Sequence, residues 1–237
     1  MTILLQYNIA NGQAPAPVTA GPRRAVVVVF LGGNPPRKTR RRLPQRDDRE
    51  RSAQPQGSAA CDIARGDESM IPFIMATERI AGFEHLVGRW DEAQHRSALA
   101  DGRHAYFIAW DRTEPIGFVI LRDWASPERT TLVKRIAVCQ PGRGHGRALL
   151  SKVADAVFEQ TSTWRLWLGL FPENVRARRA YQAIGFQVEG IARGSAFFGG
   201  VHRDEVIMSL LRPEWAARRS KSGATIPTDD FANNSPR

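Results

Sequence analysis

The stretch from Leu132 to Leu150 constrains the fold most. A β-branched run ending at Val138 breaks into Cys139-Gln140-Pro141-Gly142-Arg143-Gly144-His145-Gly146-Arg147 and then becomes amphipathic. Leu132 to Val138 has strand composition. Beyond the glycines, Leu150, Val153, Ala154 and Val157 recur at helical spacing, while Ser151, Lys152, Asp155 and Glu159 fall elsewhere. Glycines at such a junction allow positive φ and close backbone approach, so successive N–H groups can converge on a phosphate at the helix N-terminus. Other glycine loops fit poorly. A Walker A loop needs a lysine where Arg147 follows Gly146, and the dinucleotide fingerprint needs a third glycine where Arg147 stands.

A second constellation begins about 30 residues on, at Asn174, a distance that accommodates one helix-strand-helix unit. Asn174 is a good N-cap, Gly185 a good residue just past a helix end, and Ala177, Ala180, Tyr181 and Ile184 form one apolar face. Taken alone, Tyr181 reads as a core aromatic with its hydroxyl satisfied.

The two segments together resemble the GNAT superfamily of N-acetyltransferases. The acetyl-coenzyme A loop of that family has the form Gln/Arg-x-x-Gly-x-Gly/Ala, with Gly144 and Gly146 at its two small positions, and Asn-x-x-Ala-x-x-x-Tyr-x-x-x-Gly-Phe is similar to its later motif. The first loop position falls on Pro141, with Gln140 one residue early. The resemblance covers about residues 62–213. It implies an α/β (α+β) GNAT fold: a mixed, mostly antiparallel sheet splayed between strands 4 and 5 and flanked by helices. The patterning predicts the order β-α-α-β-β-β-α-β-α-β-β, with helices at Ile71–Arg79, Trp90–Ala100, Gly144–Thr161 and Asn174–Ile184. The segment Asp204 to Trp215, which holds the final strand, looks like bacterial members related to the ribosomal-protein N-terminal acetyltransferases.

Charge divides the chain. Of its net +10, residues 1–60 hold 10 Arg/Lys against 3 Asp/Glu, so the basic character belongs mainly to a Pro-rich extension expected to be disordered. A domain is expected over residues 61–213 and a flexible tail over 214–237. The cluster Arg37 to Arg42 reads as a solvated arm, and the near-balanced remainder makes nucleic acid an unexpected partner. Arg176, Arg178 and Arg179 read as a solvated helix face. The apolar run Ala25–Leu31 is far short of a membrane span and lacks a cleavage pattern after it. Two cysteines make no disulfide framework. With the five histidines they show no metal-ligand spacing. The expectation is a cytoplasmic protein with reduced thiols, no metal and no membrane contact, as a monomer or homodimer.

The resemblance also implies roles. Acetyl-CoA would be the co-substrate, held by the strand-4 backbone at Ile136, Ala137 and Val138, by Arg143, Gly144, His145, Gly146, Arg147 and Ala148 of the loop, and by Asn174 and Tyr181. Tyr181 would also donate to the departing sulfur. The acceptor is an amine of a small molecule or a protein N-terminus. An amine attacks only as the free base, yet Thr131-Leu132-Val133-Lys134-Arg135 lacks the strand-4 glutamate of many relatives. Glu78, Asp204 or a water relay are the substitutes considered, with Glu78 taken as the catalytic candidate beside its bland reading as an exposed helix carboxylate. Phe83, His85, Trp90 and Trp110 are candidates for the acceptor wall. The rival function is a noncatalytic acyl-CoA-sensing module whose basic arm contacts nucleic acid.

Overall fold

Seven strands among the described residues form one sheet. The computed structural model describes residues 61–221, and the expectations for residues 1–60 and 222–237 lie outside the described residues. The elements are β1 Asp62–Arg65, α1 Ile71–Glu78 after a 3-10 turn at Glu68–Met70, α2 Glu92–Ala100, β2 His104–Asp111, β3 Glu114–Arg122 and β4 Thr130–Val138. They continue with α3 His145–Gln160, β5 Arg165–Leu170, α4 Val175–Ile184, β6 Gln187–Phe198, β7 Val201–Leu211 and α5 Arg212–Lys221. The sheet order is β1-β2-β3-β4-β5-β7-β6, and all neighbours are antiparallel except β4 and β5. This mixed, mostly antiparallel sheet is the expected fold class.

Strand alternation builds a core on each face. Phe107, Val119, Leu121, Ile136, Val138 and the β5 and β7 leucines meet α3 and α4 on one side. Tyr106, Ile108, Phe118, Ile120 and Ala137 meet Ile74, Phe83, Val87 and Ala98 on the other. Leu149, Leu150, Val153 and Val157 of α3 are wholly buried, as its apolar stripe requires.

Most helix limits move by a single cap residue, and two differences from the patterning go further. α2 starts at Glu92 because the Asp91 carboxylate accepts the Gln94 N–H (2.8 Å) while the Gln94 side chain accepts the Asp91 N–H (3.0 Å), a capping box that leaves Trp90 outside the helix. The stretch expected to be a flexible tail from residue 214 begins inside the fold. In α5, Trp215 is buried, stacks on Phe158 at 5.2 Å and donates its indole N–H to Asp155 (2.7 Å). Burying an apolar side chain of this size contributes roughly 1.5–3 kcal/mol before ordering costs, enough to fix a short helix against α3.

Two irregularities set up the site. β4 pairs with β5 only at Thr130–Arg165, Thr131–Leu166 and Leu132–Trp167, after which the strands diverge. Just there, the β3 register passes from Leu121–Val133 to Ile120–Arg135, so Lys134 is an extra residue on β4. Such a bulge re-aims side chains and ends pairing.

Candidate active site

Beyond Leu132, β4 keeps its ladder with β3 but has no partner on β5. Ile136, Ala137 and Val138 are buried here, and their backbone edge toward β5 faces the gap. A β-edge inside a protein presents N–H and C=O groups to any extended ligand entering it. On the other side Gly117 meets Val138 so closely that a Cβ would lie 2.7 Å from the Ala137 oxygen. Glycine there lets β3 hold the unpaired end of β4.

At the end of β4 the chain enters the glycine loop. Gly144 caps α3 with φ 84°, no side chain caps this end, and no acidic residue sits in the first turn. The N–H groups of His145, Gly146 and Arg147 have no intrahelical acceptor. The Ala148 N–H does: it donates to the Gly144 carbonyl at 3.1 Å, so the sequence-based cradle is one amide too long. Gly146 is buried, Arg143 and Arg147 are exposed and His145 is half-buried. A sixteen-residue helix whose N-terminus has no side-chain cap leaves these amides and the positive end of its dipole open to an anion.

α4 brings Tyr181 to the same side of the sheet. The Asn174 side-chain oxygen accepts the Ala177 N–H (3.2 Å), Gly185 closes the helix at φ 112°, and Ala177, Tyr181 and Ile184 are its buried residues. Asn174 therefore positions the helix that carries Tyr181. Burial drives the Tyr181 phenol well above its ordinary value of 10.0, so the group stays protonated and can donate.

Across the sheet lies the segment expected to wall the acceptor. The exposed-carboxylate reading of Glu78 does not hold, since Glu78 is wholly buried. The Arg135 guanidinium donates to it, the Trp90 N–H reaches it at 3.2 Å, and His95 Nε2 stands 3.6 Å away. His95 Nδ1 and the Tyr106 hydroxyl share a hydrogen bond of 3.1 Å. Burial raises the Glu78 carboxyl, but the His95 and Arg135 interactions outweigh it and the net shift is downward. A carboxylate held this way is a poor proton acceptor. Lys134 and Arg135, both turned to this face by the bulge, lie 5.0 and 4.8 Å from the Trp90 ring.

The other wall candidates divide. Phe83 is core, Trp110 is partly buried beside it, and His85 is exposed with its carbonyl accepting from Arg203 (2.9 Å). Asp204 is exposed and accepts the Gly194 N–H (2.8 Å), a hairpin contact. Sequence reasoning missed Glu205, which is buried on β7 one residue beyond the Leu170–Val206 pair. Its alternation was the available signal, because Val206, Met208 and Leu210 point to the α3 core and Glu205 has the opposite phase. Burial pushes its carboxyl up to about 7 against one lowering contact from Ser195.

Among the described residues no group of three or more His, Cys, Asp and Glu is gathered as a metal site. Two proteins of Bacillus subtilis (strain 168) match part of the chain. "Probable N-acetyltransferase YjcK" is 30% identical over 31% of this chain and 40% of its own, and "Putative ribosomal N-acetyltransferase YdaF" is 32% identical over 33% and 43%. The chain thus spans less than half of either relative in the match. Solved structures of the SpeG spermidine N-acetyltransferase from Vibrio cholerae share the fold. A chimera with hSSAT is 19% identical with TM-score 0.59 over 66% of this chain and 98% of its own, and mutant forms are 20% identical with TM-score 0.58 over 67% and 97%. A sequence profile described as the Acetyltransferase (GNAT) family matches residues 50–186, reaching into the stretch read as an arm. With more than half of its length matched in this way, the chain belongs to the GNAT acetyltransferase family.

Proposed function

We propose that this chain transfers an acetyl group from acetyl-CoA directly to a primary amine. The observation that carries the reading is the unpaired end of β4, which opens beside an uncapped helix N-terminus and on the same side as a buried, protonated phenol. The backbone of Ile136, Ala137 and Val138 would take the extended arm of the coenzyme, and the amides of His145, Gly146 and Arg147 its pyrophosphate. Bound there, the thioester supplies an acetyl carbon whose new bond to nitrogen replaces its bond to sulfur. Tyr181 donates a hydrogen bond or proton to the sulfur as it takes the electron pair.

Direct transfer is supported by the cysteines. Burial raises the thiols of both Cys61 and Cys139, with Thr77 partly opposing the effect at Cys139. Thiols kept protonated are weak nucleophiles, which argues against an acyl-enzyme. Neutral, reduced thiols also suit a cytoplasmic protein; no described helix is long and apolar enough to cross a membrane.

The acceptor face favours a compound with one ammonium group over a polycation such as spermidine. Of its carboxylates, Glu78 and Glu173 are matched by Arg135 and Arg203 and Lys134 stands nearby, which leaves Glu205, without an ion pair among the described residues, to face a single ammonium. A thiol-release assay with acetyl-CoA against a panel of monoamines, polyamines and peptides with free N-termini tests this. Release with a monoamine or peptide is expected. Coenzyme binding with no thiol release from any amine would favour the acyl-CoA-sensing alternative.

A further inference from the structure

The proton that a protonated amine must lose has no acceptor among the residues so far assigned. Glu78 is committed to Arg135, and Asp204 is exposed on the hairpin. Glu205 differs from both. Its residue is 3% exposed, it makes no ion pair among the described residues, and Oε1 is buried without a hydrogen-bond partner. Leaving one oxygen of a buried carboxyl unmatched is costly, and native proteins retain such groups mainly where they act.

The surroundings are built for two protonation states. β6 and β7 pair at Ala192–Glu205 and next at Ala196–Arg203, so Arg193, Gly194 and Ser195 bulge from β6. The bulge is fixed by the Gly194 N–H to Asp204 (2.8 Å) and by the Gly194 carbonyl to His202 Nδ1 (2.9 Å). It brings the Ser195 hydroxyl within reach of two acceptors, Glu205 Oε2 at 2.8 Å and the Ala192 carbonyl at 3.0 Å. A hydroxyl has one proton and two lone pairs. With Glu205 ionised, Ser195 donates to it. With Glu205 protonated, the carboxyl can donate to Ser195, and Ser195 to the Ala192 carbonyl. Neither state strands the hydroxyl.

Placement completes the case. Glu205 lies on β7 just past the last β5 pair, at the end of the sheet where β4 and β5 have already separated, and its strand phase puts it on the face away from α3 and α4. Arg203, on that face two residues along, is paired with Glu173, bonded to the His85 carbonyl and packed over the Phe171 ring. Other charged groups on that face include the Glu78–Arg135 pair with its neighbours His95 and Arg79, Lys134 over Trp90, the exposed His85, and the Arg165–Glu189 pair, whose Glu189 accepts from Ser209 four residues along β7. No contact ties any of them to Glu205 among the described residues.

We infer that Glu205 is the general base, taking a proton from the acceptor ammonium at its unmatched oxygen, directly or through one water. This rests on the transferase reading above. The N–H bond breaks, its electron pair stays on nitrogen as the free amine, and an O–H bond forms on Glu205. After transfer the proton returns to solvent past the half-exposed Ser195. A carboxyl ionising at about 7 is suited to this at neutral pH.

The test uses the full chain, acetyl-CoA and the best two panel amines of different basicity. In the parent, kcat/KM should rise with pH through a limb near 7 that is the same for both amines. Glu205→Gln should lower kcat/KM by about 10²-fold or more at pH 7.5 and abolish that limb, with coenzyme affinity by calorimetry within about twofold. Ser195→Ala removes the donor to the carboxylate and should move the limb upward. Parent-like kcat/KM and limb in a folded Glu205→Gln protein would overturn the inference alone. If that variant does not fold, an unmoved limb in Ser195→Ala does the same. A parent protein that releases thiol with no amine overturns this inference together with the transferase reading.

Discussion

Glu205→Gln should make the protein more stable at alkaline pH while changing it little at acid pH. Folding raises the Glu205 carboxyl from 4.5 to about 7, so the folded state favours the protonated form. The stabilising contribution is full below about 4.5, declines as pH rises through 7, and above that the folded protein carries the whole cost of a buried carboxylate. At 1.36 kcal/mol per unit the rise corresponds to roughly 3 kcal/mol. Local relaxation around the buried carboxylate reduces the expected difference to about 2 kcal/mol. Glutamine keeps the volume and can still accept from Ser195 without ever ionising. Urea denaturation of parent and variant at pH 5 and pH 8 reads the effect. With a slope of about 2 kcal/mol per molar, the variant midpoint should lie about 1 M above the parent at pH 8 and near it at pH 5. Comparing the two proteins cancels every other titrating group. An equal offset at both pH values, or none at either, would show that Glu205 ionises as it does in water.

Tyr181→Phe keeps the ring and should lower kcat by about 10²-fold with little change in coenzyme affinity; because burial holds the phenol well above 10, the loss should appear in kcat and not as an altered neutral limb. Parent-like turnover with chemistry rate-limiting would make it a packing residue. Gly144→Val forces a β-branched residue to φ 84° at the start of α3, a strain of roughly 1–3 kcal/mol, and fills space beside the first-turn amides. Calorimetry should find coenzyme binding severely weakened in protein whose circular dichroism remains native. Glu78→Gln leaves the buried Arg135 cation without its counter-charge, at a cost of about 3–5 kcal/mol, or a fall in Tm on the order of 10 °C for a chain of this size. Arg135→Met in the same protein should restore much of it, and a single variant melting with the parent would contradict the buried pair.

The fold was largely legible because its signals are local. The α3 stripe, the Asn174 cap and the Gly185 stop each lie within one element, and the structure realises all three. What escaped depends on distant partners. Glu78 ends a short helix that is apolar nearly all round, so nothing nearby marks it as buried, and Arg135 lies 57 residues away. α5 escaped because Arg218, Arg219 and Lys221 make its composition that of a solvated tail, while the residue that anchors it, Trp215, docks on Phe158 of α3. Glu205 was passed over beside Asp204 because adjacent carboxylates on a strand are told apart only by which face of the sheet is covered. Its burial follows from strand phase, but its unmatched oxygen follows from a bulge whose register no single-strand pattern records.

The short seam between β4 and β5 has a kinetic consequence. A sheet is ordinarily a partition that two molecules cannot react across, since paired backbone seals it from edge to edge. Here the seal ends at Leu132 and Trp167, leaving a window between the α3–α4 side and the α1–α2 side. Two reactants can then arrive by separate doors, each seated while the other is present, and neither product must vacate a shared berth before the second reactant enters. Double-reciprocal plots at varied concentrations of both should accordingly intersect instead of running parallel, and a dead-end analogue of one reactant should leave the binding of the other intact.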